Sequence, residues 1–230
     1  MLRAINKSWS FLAGWAVFAL LATVVLFSTP KFEAHVWLNS AHGPWGDAAF
    51  PIITTVAEGA LAALIGIALL FVSFRAFFFV AITHGLTAVF IQFLKRVVFP
   101  DHYRPGHFFD QMPDLMLVQG IEQHMKFSFP SGHSAAIFSL CIALALLLNR
   151  KHWGVLLVAV AILVGFSRIY LSQHFLQDVL AGSTIGILIP LLGYGLFFPA
   201  DEVDPNHWLN RNLRTFRQGS GRTNGADSAS

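Results

Sequence analysis

WGVLLVAVAILVGFSRIYLSQHFLQDVLAGSTIGILIPLLGYGLFF, residues 153–198, sets two apolar runs, 153–170 and 179–198, on either side of a polar segment that ends at Asp178. Each run approaches the roughly 20 residues a helix needs to cross about 30 Å of hydrocarbon. Neither alternates apolar with polar residues as a barrel strand would, and a helix satisfies its own backbone groups in lipid. The stretch therefore reads as two membrane-crossing helices joined by a short connection that carries Arg168, His174 and Asp178.

Four more apolar runs precede it, at 11–28, 52–74, 77–94 and 134–148, the last being the shortest. Composition agrees: of 230 residues 55% are hydrophobic and only 12% charged, against roughly 25% charged in a soluble domain, and the mean hydropathy is +0.62. These figures exclude an ordinary soluble domain, and no nucleic-acid partner is expected. The fold class expected is all-α: one integral membrane bundle of six transmembrane helices over 1–204, with a long extracytoplasmic loop between the third and fourth. Run 11–28 shares its basic start with signal peptides, but it is long and lacks a small-residue cleavage site, so it is read as a span.

Charge sets the expected orientation. Arg3 and Lys7, Arg75, Arg150 and Lys151, and Arg211, Arg214, Arg217 and Arg222 all fall on one side of a six-span array. By the positive-inside rule that side is the cytoplasm, with both termini. The basic residues of the other side, Lys31, Lys95, Arg96, Arg104, Lys126 and Arg168, are balanced by Glu33, Asp47, Asp101, Asp110, Asp114, Glu122 and Asp178. Trp9, Trp153 and Trp208 then lie near the inner boundary and Trp37 and Trp45 near the outer one, as aromatic belts do. A bacterial inner membrane is the expected location, with the polar loops facing the periplasm. The end of the chain, 205–230, is expected to be a cytoplasmic, disordered tail; Trp208, Leu209, Leu213 and Phe216 among its arginines also suit a helix on an anionic leaflet. Cys141 stands alone, inside the fourth run, and reads as a packing residue.

The outer loops carry the chemistry. His174 and Asp178 are four apart, neighbours on a helix face. A carboxylate there binds one imidazole nitrogen and leaves the other free as a nucleophile. Arg168, six residues earlier, brings a planar fork of donors suited to phosphate oxygens. In PSGH, Pro130 to His133, Ser131 is placed as a helix N-cap, and the first N–H groups of that helix make an anion site. Gly132 permits close approach, and His133 faces the same anion as a proton donor. Lys95, Arg96 and Arg104 add cations at the outer end of the third run. Each feature alone also has a plain reading: a surface His/Asp pair, a helix start, interfacial anchors. Their gathering on one side of the membrane favours a phosphate site.

Together these residues resemble the type 2 phosphatidic acid phosphatase superfamily, membrane lipid phosphatases related to vanadium haloperoxidases and bacterial acid phosphatases. That family's pattern is a lysine and an Arg-Pro pair, then Pro-Ser-Gly-His, then Ser-Arg, five residues, His, three residues and Asp. Residues 130–133 match it in full, as do Ser167, Arg168, His174 and Asp178. The resemblance implies a metal-independent phosphatase without a cofactor that acts on a lipid phosphate. Phosphatidic acid, phosphatidylglycerol phosphate, undecaprenyl diphosphate and lipid A phosphates are the substrate candidates. It further implies His174 as the nucleophile that becomes phosphohistidine, Asp178 as its activator and His133 as the acid, with Lys95, Arg104, Ser131, Gly132 and Arg168 binding the phosphoryl oxygens. The lysine departs from the pattern. The family's spacing of six falls on Val97, whereas eight residues separate Lys95 from Arg104 and seven separate Arg96. Lys95 is assigned the role, through a two-residue insertion, with Arg96 as the alternative.

Two other classes are weighed. A metal-dependent hydrolase would draw on His102, His107 and His124, but no HExxH-like spacing supports it. A transporter would use Glu58 and His84 inside the second and third runs, but broken helices and paired repeats are not evident in the sequence.

Overall fold

The computed structural model describes residues 1–199 and 207–215. Among them there is no strand. Eight α-helices follow one another: α1 (Leu2–Ser28), α2 (Lys31–Asn39), α3 (Pro44–Thr55), α4 (Gly59–Leu70), α5 (Phe74–Phe93), α6 (Gly132–Leu148), α7 (Lys151–Tyr170) and α8 (Leu176–Phe197). By length and apolarity α1, α5 with its extension to Val98, α7 and α8 are each able to cross a membrane. The bent pair α3 and α4 makes a fifth crossing if it is counted as one.

Helix α6 is the axis of the bundle and packs on α1, α5, α7 and α8. Eleven of its 17 residues are buried, which suits a helix apolar all round. Phe138 sits at its centre, edge-on to Phe11 and stacked on Phe18. Helix α8 lies against α6 at backbone distance. A Cβ added at Gly182 would stand 2.4 Å from the Ser131 carbonyl oxygen, and one at Gly186 the same distance from that of Ala135. Glycine at these positions is thus a packing requirement, and it brings the start of α6 beside the start of α8.

The second run departs from expectation. It is broken at Val56–Glu58, where α3 and α4 meet at 50°, so a broken helix is present although none was read from the sequence. Pro51 lacks an N–H for the ladder, and the break places Thr54 and Glu58 beside Arg168. Helix α2 also goes beyond the sequence reading. It is a nine-residue element between the first two spans.

The long connection between α5 and α6 holds a π-helical turn, Leu94–Val98, and a 3-10 segment, Pro105–Gln111. Of the tail, 207–215 docks beneath α5. Phe74 N–H donates to the Arg211 carbonyl at 2.9 Å, and Trp208 packs on Phe74 and Phe78. Buried Arg75 ties this segment to α8 through Asn210 and the Phe197 carbonyl. Phe216, Arg217 and Arg222, and the rest of the expected tail, lie outside the described residues.

Candidate active site

One cavity of about 280 Å³ collects residues from all three polar stretches: Lys95, Arg104, Gly132, His133 and His174 line it. Its deeper wall is apolar and small, with Ala88 and Ile91 from α5 and Ala135 and Ala136 from α6.

His174 lies in the turn between α7 and α8 and is 1% exposed. The turn is held by its own backbone: Gln173 and His174 N–H groups both donate to the Arg168 carbonyl, at 2.9 and 3.1 Å. Ser172 takes a left-handed φ of 52°, a conformation costly for a non-glycine residue that persists where surroundings over-determine it. Burial drives the His174 pKa well below the ordinary histidine range, and the charges of Lys95, Arg104, Arg168 and His133 push it the same way. The imidazole is therefore neutral near pH 7.

Asp178 is the third residue of α8, where the helix dipole favours a carboxylate. Its Oδ2 accepts from the Phe175 N–H at 3.0 Å and from Ser128 Oγ at 2.5 Å, and it lies 3.4 Å from His174 Nδ1. His174 Nδ1 and Asp178 Oδ1 are buried without hydrogen-bond partners. The His/Asp pair is thus in place but loosely closed, as such pairs often are without substrate. Nδ1 faces the carboxylate, so Nε2 is the nitrogen left for chemistry.

The cations surround this pair. Lys95, 6% exposed, donates from Nζ to the Phe127 carbonyl at 2.9 Å. Arg96 is exposed and does not line the cavity. The π turn at 94–98, looser than an α turn, coincides with the altered lysine spacing. Arg104 donates from Nε to the Lys126 carbonyl and from Nη1 to Gln173 Oε1, at 3.0 and 3.1 Å. Burial lowers its pKa, and the charge of Asp178 opposes that shift. Arg168 is not a wall of the cavity. It is buried behind it with Nη1 on Thr54 Oγ1 at 2.6 Å and Nε unpartnered.

Ser131 is the N-cap of α6, its Oγ accepting from the Ser134 N–H at 3.3 Å. Its own N–H donates to the Asp178 carbonyl at 2.9 Å, a direct tie between PSGH and the third motif. A Cβ at Gly132 would meet only Ile91, at 3.8 Å. Protein packing alone therefore leaves room for a side chain there, and that room borders the cavity.

The structure thus gathers all eight expected site residues: Lys95, Arg104, Gly132, His133 and His174 line the cavity, Asp178 adjoins His174, Ser131 is bonded to Asp178, and Arg168 acts on His174 without lining the cavity. Sequence reasoning missed Ser128, Gln173 and Thr54, which position Asp178, Arg104 and Arg168. None of the three stands at a spacing that marks it in the sequence. Of the other two intramembrane ionisable residues, Glu58 lies within electrostatic reach of Arg168, and His84 borders the cavity. Nor do His102, His107 and His124 gather as ligands: among the described residues no group of three His, Cys, Asp or Glu side chains is placed to hold a metal ion.

The chain is similar to several known proteins. The chain is 35% identical over 116 residues to a lipid A 1-phosphatase of Rhizobium johnstonii, a match covering 50% of this chain and 44% of that one. It is 44% identical over 79 residues to phosphatidylglycerophosphatase B of Bacillus subtilis, covering 30% and 39%. The matches span less than half the length of these curated relatives. The crystal structure of LpxE from Aquifex aeolicus superposes with a TM-score of 0.63 at 26% identity, over 71% of this chain and 94% of that one. The model of one family, described as the PAP2 superfamily, matches residues 76–201, which hold every motif of the cavity; the chain belongs to the PAP2 superfamily.

Proposed function

We propose that this protein is a membrane lipid phosphatase of six spans, acting at the outer face of a bacterial inner membrane through a phosphohistidine on His174. The observation that carries the reading is the His174–Asp178 pair, 3.4 Å apart, buried among Lys95, Arg104 and Arg168. A neutral imidazole with a carboxylate at one nitrogen is a nucleophile at the other. Fixed cations suit the equatorial oxygens of a phosphoryl group in transfer.

His174 Nε2 attacks phosphorus while Lys95, Arg104 and the free N–H groups at the start of α6, at Gly132 and His133, hold the oxygens, Ser131 capping that helix start and Arg168 adding its charge from outside the cavity wall. His133, which lines the same cavity, gives a proton to the departing oxygen once the charge of the bound phosphate stabilises its protonated form. Water then attacks phospho-His174, with His133 taking the proton, and inorganic phosphate leaves. Asp178 holds the imidazole through Nδ1 and balances the positive charge that the ring acquires in the first step.

The six crossings are α1, the bent pair α3–α4, α5, α6, α7 and α8, with α2 lying outside. Helix α6 counts as a crossing despite its length because its outer end is recessed under the cavity. The alternation leaves both termini in the cytoplasm and the cavity mouth in the periplasm. A polar mouth above a wall of Ala88, Ile91, Ala135 and Ala136 fits an amphiphile with its phosphate at headgroup level. The relatives named above support lipid A phosphates and phosphatidylglycerol phosphate, and the chemistry of the mouth extends the class to phosphatidic acid and undecaprenyl diphosphate.

The test is phosphate release by the purified chain from these four lipids, with chelator present. Wild-type protein should release phosphate from at least one and leave an acid-labile, base-stable phosphoprotein on rapid quench. His174→Ala should lose both signals. Turnover near wild type in a folded His174→Ala sample overturns the assignment.

A further inference from the structure

Helix α2 belongs to none of the motifs, yet three of its polar residues, Lys31, His35 and Asn39, recur at intervals of four. They share one face. That face is turned to the 170–175 segment that carries His174. Asn39, fully buried, donates from Nδ2 to the Tyr170 carbonyl at 3.0 Å and to Ser172 Oγ at 3.2 Å. Its Oδ1 accepts from the Met116 N–H at 2.9 Å. His35, 1% exposed, stands edge-on to the Phe175 ring at 5.1 Å. The Lys31 ammonium lies 3.9 Å from the centre of the same ring, and 5.4 and 5.7 Å from those of Phe108 and Phe32.

Lys31 therefore joins two separate active-site segments. Phe108 follows Arg104 in the 3-10 turn, and Phe175 follows His174. A cation over an aromatic face is attracted by the ring quadrupole, so one ammonium holds both segments against α2. Phe175 is also the residue whose N–H donates to Asp178 Oδ2. The charge of Lys31 reaches Asp178 as well: burial lowers the pKa of Lys31, and the Asp178 carboxylate opposes that shift.

Building on the phosphatase reading above, we infer that Lys31 is a positioning residue: from the Phe175 ring it fixes the His174 turn and adds a positive charge behind the His174–Asp178 pair. Lys95 and Arg104 line the cavity and Arg168 is held by Thr54. Lys31 is not among the residues that line the cavity and acts through Phe175, so its replacement leaves the phosphate-binding set intact. The other groups facing the pair are His133 from α6, Ser128 from the long connection and His35 from α2 itself.

Lys31→Met keeps the apolar stem and removes the charge, whereas Lys31→Arg keeps the charge. A neighbouring cation opposes protonation of the pair, so its removal lets protons on at higher pH. Because Lys31 is also partly solvated, the shift is moderate. The acid limb of kcat/KM should move up by about half a pH unit in Lys31→Met and stay in place in Lys31→Arg, with KM for the lipid nearly unchanged. The His174 ring-proton NMR titration, assigned by its loss in His174→Asn, should move in the same direction. Identical profiles for wild type and Lys31→Met, or equal losses of kcat in both variants without a shift, overturn the role of Lys31. If wild-type protein releases phosphate from none of the four lipids, the phosphatase reading fails instead, and the His174 titration still decides the role of Lys31.

Discussion

At the scale of single residues, the site depends on groups that hold the reacting ones. Ser128 illustrates this: its hydroxyl is 2.5 Å from Asp178 Oδ2, in a place where neither residue meets water. A hydrogen bond to a charged group contributes about 1.5–3 kcal/mol. Ser128→Ala should therefore lower kcat by at least about 10-fold with little change in KM, measured by phosphate release under saturating lipid. His35 offers a second measurement, of stability. Burial first, then the charge of Lys31, brings its folded pKa down to about 4, while an unfolded histidine titrates at about 6.5. Between those values the unfolded chain binds more protons than the folded one, so stability falls as pH drops from about 6.5 toward 4 and is unaffected above. The whole effect is about 3 kcal/mol. Thermal unfolding in detergent from pH 7.5 to 4.5 should show a steeper loss for wild type than for His35→Leu; parallel curves refute it. The motif residues themselves were legible in the sequence because His174 and Asp178, or Ser131 and His133, act at fixed short separations. Ser128, Gln173 and Thr54 were not, since each reaches its partner across a long stretch of chain and no local pattern records that.

At the scale of elements, the close approach of α6 and α8 makes the site one unit. Gly182 lies four residues beyond Asp178 and rests on the Ser131 carbonyl. A methyl group there must push apart the two helix starts that carry PSGH and Asp178. Gly182→Ala should cost about 1–3 kcal/mol and reduce kcat, whereas Gly195→Ala, with nothing within 4 Å of its added Cβ, should retain both. Unfolding midpoints and turnover of the two variants decide it. The apolar runs were plain at this scale, since a crossing helix must be a long uncharged stretch. What the runs conceal is local geometry: the break at Val56–Glu58, the π turn at Lys95 and α2. The last has Ala, Val and Trp mixed with an inward His and Asn and an exposed Lys whose ammonium lies over the Phe175 ring, a pattern that in water would assign the polar face to solvent. Here the polar face is wanted inside, because the segment it covers is the one that bears the nucleophile.

At the scale of the whole molecule, the proposed outward orientation rests on the basic residues of the N-terminus, of Arg75, of Arg150 and Lys151, and of the C-terminal segment. The fold brings these segments together, since Lys151 lies over the Trp9 ring at 5.4 Å and Arg75 is tied to the segment at Trp208. The start of α1, the start of α5, the α6–α7 turn and the C-terminal segment are therefore at one end of the bundle, and the cavity with α2 is at the other. Which end faces the periplasm is open to direct measurement, because Cys141 is the chain's one cysteine and is buried, 3% exposed. Wild-type protein should thus take up no membrane-impermeant maleimide in intact spheroplasts. Trp45, 91% exposed in the first turn of α3, should become reactive from outside as Trp45→Cys. Arg150→Cys, in the exposed turn between α6 and α7, should react only after the membrane is opened. The reverse pattern would turn the cavity toward the cytoplasm and with it the leaflet from which the substrate is drawn. Labelling of both sites in sealed cells would mean that an even number of crossings separates 45 from 150 where the bundle requires three, and the pairing of α3 with α4 as one bent span would then be the count to revise.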